Sequence, residues 1–184
     1  MSANEFSHIL RLDEIGGARE LRVTANEEER ATLAKRFGLI SLDRLEAELT
    51  ILHEGDDIHA SGTILAEVQQ SCIASSEAVR TEIREEVRIR FAPEIDHEGS
   101  HEPGAEFELG KDDCEIIFHD GKAIDIGEAV AQSLALALDP YPRSPKAEEI
   151  LRNAGVKSEE QARQASGPFS ALAALGSKEL KGKE

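Results

Sequence analysis

A chain of 184 residues, 40% hydrophobic and 32% charged, is long enough for one domain with a real core and belongs to the soluble globular class. Its formal charge of −16, from 37 acids against 21 bases, argues against broad, sequence-independent RNA binding, because nucleic-acid affinity comes largely from Lys and Arg displacing phosphate counterions. With no Trp and one Tyr there is also little from which to build a platform that stacks bases. The same acidity suits a basic partner, and it also serves simply to keep a protein soluble and monomeric.

No segment approaches the roughly 18 apolar residues of a membrane span. The first residues, MSANEFSHILRLDEI, have no basic flank before an apolar run, so they are expected to begin the fold and not to act as a secretory signal. Cys72 and Cys114 stand far apart without paired neighbours, which reads as reduced thiols in a cytoplasmic protein.

Taken in chain order, the first element is a helix over about 27–37. Asn26 caps it, Glu29 sits three residues on, Glu27 to Glu29 suit the positive N-terminal end, and Gly38 stops it. Leu33, Ala34 and Phe37 are its expected buried stripe. Strict alternation follows: Leu45, Ala47, Leu49 and Ile51 are separated by Glu46, Glu48 and Thr50. From Ile58 the run Ile58, Ala60, Gly62, Ile64, Ala66, Val68 faces one way and His59, Ser61, Thr63, Glu67, Gln69 the other, with Leu65 an exception. A third run carries Val79, Ile83, Val87, Ile89 and Phe91 opposite Arg80, Glu82, Arg84, Glu86, Arg88 and Arg90. Period two predicts half-buried antiparallel strands with one wet face. Glu85 interrupts the third run, and a bulge is expected there. Gly55-Asp56-Asp57 and the small polar stretch Ser71 to Glu77 supply the turns.

Residues 94–113 hold Glu94, Asp96, Glu98, Glu102, Glu106, Glu108, Asp112 and Asp113 against Lys111 alone, too acidic and too polar to offset ordering entropy, so a mobile loop is expected. A strand at Cys114 to Phe118 then leads to the turn pair Asp120-Gly121. A second helix over about 126–138 is capped by Asp125 with Glu128. It carries Ile126, Val130, Leu134 and Leu138 near helical spacing, and Asp139-Pro140 stops it. The domain thus spans 1–140, and 141–184 reads as a flexible tail with a short helix near Lys146 to Asn153 and an apolar island over 167–175.

Four features invite a functional reading. His97-Glu98-Gly99-Ser100-His101 matches the letters of a zinc-protease signature. That signature needs a helix to bring both imidazoles to one face, and Gly99, Ser100 and Pro103-Gly104 deny it one, so a metal-dependent hydrolase is the weakest alternative. His8, His53, His59 and His119 show no metal-ligand spacing. Cys72 has no visible base to make a thiolate, and a half-buried inert thiol is expected. Arg84, Arg88 and Arg90 could contact phosphate, which is the direct RNA-binding alternative on the Arg80–Arg90 face, but alternating signs favour cross-strand ion pairs. In the tail, Phe169, Leu172 and Leu175 fall at i, i+3 and i+6, one face that a partner could order in a groove or that could pack back on its own domain.

Three stretches together resemble the YceD family of large ribosomal RNA subunit accumulation proteins. They are Gly62-Thr63-Ile64-Leu65-Ala66-Glu67-Val68 with Cys72 and the run ending Arg90-Phe91-Ala92-Pro93; Ile124-Asp125-Ile126-Gly127-Glu128-Ala129-Val130 continuing to Asp139-Pro140-Tyr141-Pro142; and Gly167-Pro168-Phe169 through Leu175. The resemblance implies a bacterial protein with a role in accumulation or processing of large-subunit rRNA. Many members carry Cys-x-x-Cys where this chain has Cys72 and Ser75, and some add cysteines where it reads Arg143-Ser144-Pro145. A four-thiolate zinc site is therefore not expected here, and the fold should hold by packing alone.

The expected architecture is α+β: a curved antiparallel sheet or partial β-barrel with two packed helices and a flexible C-terminal tail. The expected function is a non-catalytic ribosome-biogenesis factor, without cofactor or metal. It would act as a monomer that binds a basic ribosomal protein or rRNA maturation factor and associates with large-subunit rRNA indirectly.

Overall fold

The computed structural model describes residues 5–93 and 115–156. In chain order these form β1 (Ile9–Arg11), one 3-10 turn (Leu12–Glu14), β2 (Arg19–Thr24), α1 (Glu27–Arg36), β3 (Ser41–Glu54), β4 (Asp57–Ser71), β5 (Ala78–Pro93), β6 (Glu115–His119), β7 (Ala123–Asp125), α2 (Ile126–Ala137) and α3 (Ala147–Asn153). They fall into two compact units. One takes the chain up to Ser71 together with Ala78–Pro142, the other Cys72–Glu77 together with the chain from Arg143 onward.

In the first unit, five strands line up as β2-β3-β4-β5-β6, and β1 pairs β7 in a separate two-stranded sheet. The long strands alternate because tight turns join them: Gly55, at φ 65°, takes the left-handed conformation that closes β3 onto β4. The α+β class is as expected. The sheet is mixed, however, because β6 joins β5 in parallel. More than a dozen residues separate those two strands, enough for the crossover that parallel pairing requires. No pairing joins β2 to β6, so the sheet stays open and no barrel forms.

Register explains the alternation. Leu45, Ala47 and Ile51 lie opposite Ala66, Ile64 and Ala60, which in turn face Ile83, Glu85 and Ile89. The bulge expected at Glu85 is absent: Ile64 pairs Glu85 and Thr63 pairs Glu86 without a slip. Glu85 takes an apolar-face position but borders the surface beside Leu136 and Ala137, at the end of α2, where a carboxylate reaches water. The irregularity lies in β3 instead, between Leu42 and Arg44. At Gly62 the strands approach so closely that a Cβ would overlap the Glu48 carbonyl.

Both helices begin as the sequence predicts. Asn26 Oδ1 accepts the Glu29 N–H at 3.0 Å while Glu29 Oε2 accepts the Asn26 N–H at 2.7 Å, a reciprocal capping box. Asp125 accepts the Glu128 N–H at 3.2 Å and also the His8 N–H at 2.9 Å, which ties the N-terminal segment to the first turn of α2. The Glu128 carboxylate is taken up by Arg36 and Gln132. Leu33, Leu45, Ile51, Ile58, Ile64, Ile89, Phe91, Ile126, Val130 and Leu134 fill the core with almost no exposure. Each contributes about 1.5–3 kcal/mol of transfer free energy.

In the second unit, the Cys72 N–H donates to the Glu77 carbonyl at 2.8 Å and the Ser76 N–H to the Cys72 carbonyl at 2.9 Å, closing a turn in which Ser76 has φ 57°. The short helix expected near 146–153 is α3. The acidic stretch 94–113, the His97-Glu98-His101 motif, Cys114, and Phe169, Leu172 and Leu175 lie outside the described residues.

Candidate functional site

Cross-strand register puts Arg22 and Glu48, Arg44 and Glu67, and Gln69 and Arg80 side by side on the polar face of the sheet. Opposite charges there pair with one another. Arg80 reaches Glu67 at 2.6 Å, Arg44 reaches Glu46 at 2.9 Å, and Arg22 spans Glu46 and Glu48 at 3.3 and 3.5 Å. The hydrogen bond from Arg44 holds the Glu46 carboxyl below its ordinary range. Of the sequence-predicted arginines, Arg90 approaches Asp57 only to 3.9 Å, too long for a hydrogen bond. Arg84 and Arg88, both exposed, take part in no ion pair among the described residues. The three share one face and do not converge on a single point: Arg84 lies opposite Leu65, Arg88 opposite Ser61 and Arg90 opposite His59.

At the β6 end this face becomes apolar. Arg90 pairs Ile116 and Ala92 pairs Phe118, so both β6 side chains project on the polar face, Ile116 42% and Phe118 63% exposed. The position of β6 is at the sheet edge, with β5 on one side and no strand on the other among the described residues. Beside that edge is a cleft of about 330 Å³ walled by β6, β7 and α2. Phe91, Ile117, Ile124 and Ala129 supply apolar wall, and Asp120, Asp125 and Glu128 supply carboxylates. Ile9, 60% exposed, and Phe118 stand on its border.

His119, 8% exposed, also lines this cleft. The Gly121 N–H donates to its Nδ1 at 3.0 Å, so the neutral ring carries its proton on Nε2. That Nε2 is buried and has no hydrogen-bond partner among the described residues. An unmet buried donor costs about 1–3 kcal/mol. The sequence had dismissed His119 for lacking metal-ligand spacing. The usable signal was local: Ile116 and Phe118 alternate up to a histidine set directly before the Asp120-Gly121 turn.

In the second unit, Cys72 is buried and its Sγ accepts the Ser144 N–H at 3.2 Å, while the Ser75 and Ser144 hydroxyls lie 3.2 Å apart. Hydrogen bonds from the Ser75 hydroxyl and the Ser144 amide lower the thiol to about 6. The sequence showed no group near Cys72 that would favour a thiolate; the fold supplies the Ser144 amide and the Ser75 hydroxyl. Lys146 reaches Glu77 at 3.2 Å across the same turn.

Among the described residues, no helix is long and apolar enough to cross a membrane. A family model described as large ribosomal RNA subunit accumulation protein YceD matches residues 60–176, more than half of the chain and all of β4, β5, β6 and α2 outside the first residues of β4. No curated protein and no solved structure matches it.

Proposed function

The chain belongs to the YceD family of large ribosomal RNA subunit accumulation proteins, and from that membership we propose that it is a non-catalytic, cytoplasmic factor of large-subunit assembly. It holds a basic ribosomal protein or maturation factor and meets large-subunit rRNA indirectly. One observation carries the reading: Arg22, Arg44 and Arg80 of the sheet face are paired with neighbouring glutamates, in a chain of formal charge −16. Arginines paired in this way offer little to a phosphate backbone, whereas the surplus of carboxylates attracts cations.

A deletion strain tests the role, and the purified protein tests the partner. Loss of the protein lowers large-subunit rRNA relative to small-subunit rRNA, and after nuclease treatment the full chain retains a basic large-subunit component. Normal ribosomal profiles together with a pull-down that recovers only the protein itself overturn the proposal.

A second reading draws on Arg84 and Arg88, which no acid neutralises among the described residues. Direct RNA contact there gives an affinity that falls steeply with salt and disappears in R84E/R88E. Salt-independent or absent RNA binding removes this reading and leaves the first in place.

A further inference from the structure

We draw no further inference here: the strongest candidate, the cleft between β6, β7 and α2 with the buried ring of His119 on its wall, carries nothing because nothing in the structure shows what covers it.

Discussion

Arg36 of α1 and Glu128 of α2 meet through two hydrogen bonds, 2.7 and 2.9 Å long, and the same guanidinium reaches Glu5 at 3.1 Å. The hydrogen bonds from Arg36 hold the Glu128 carboxyl below its ordinary range. A carboxylate whose folded value lies under its unfolded one stabilises the fold above the unfolded value, and that contribution disappears as pH falls through the folded one. Glu128→Gln therefore costs about 1 kcal/mol near neutrality, at the upper end for a pair still partly in water. Urea unfolding near pH 7 and near pH 3 should show the difference from wild type shrinking at the acid end. An equal difference at both would assign the effect to packing.

Gly62 makes a sharper demand. A methyl group there would meet the Glu48 carbonyl and the Leu49 backbone, neither of which is the yielding end of a flexible side chain. Gly62→Ala should cost about 3 kcal/mol, the upper part of the range for overpacking. Gly121→Ala serves as the comparison. Its φ of 80° strains the backbone while nothing lies near the new methyl, so the cost should be about 1 kcal/mol. Thermal unfolding of the two variants side by side would sink the idea if Gly62→Ala proved the milder.

The long strands and both large helices were legible because their signals are local: side chains alternate from Leu45 to Ile51, and Asn26 and Asp125 stand where caps are needed. Strand β2 carries the same kind of signal in Glu20-Leu21-Arg22-Val23, but its six residues are few, and β1 and β7, three residues each, carry almost none. What the sequence could not show was long-range. Glu85 breaks a pattern without breaking the register because of where α2 ends. His119 looked unremarkable until the Gly121 amide took one ring nitrogen and burial left the other unmet. The meeting of Ser75 with Ser144, 69 residues apart, is likewise a property of the fold.

Cys72 should titrate as an acid stronger than an ordinary thiol. In a Cys114→Ser background, the ultraviolet absorbance of the thiolate should rise with a midpoint of about 6. Removing the principal donor in Ser75→Ala should move that midpoint back towards the ordinary thiol value of about 8.5. The linkage has a definite sign: between those two values the unfolded chain holds more protons, so stability rises with pH, and the slope should flatten in Ser75→Ala. A midpoint unmoved by Ser75→Ala would show that the hydroxyl does not set it.

The turn around Cys72 also has the spacing of a metal site without the ligands. Cys72 and Ser75 are three residues apart, as are Ser144 and Ala147, and the Ala147 N–H donates to the Ser144 carbonyl at 2.9 Å, which closes a second turn. The Ser144 amide already donates to the Cys72 sulfur, and the Ser75 and Ser144 hydroxyls already touch. A structural tetrahedral zinc site requires four ligands, which two Cys-x-x-Cys turns brought together can supply. Replacing Ser75, Ser144 and Ala147 together by Cys should therefore give a protein that binds one zinc ion per chain and unfolds at a higher temperature with zinc than with chelator. The wild-type protein, with one sulfur in the cluster, should unfold at the same temperature in both. If the triple variant takes up no stoichiometric zinc, the two turns are not disposed to share a ligand, and the hydroxyl cluster is a local hydrogen-bond network and nothing more.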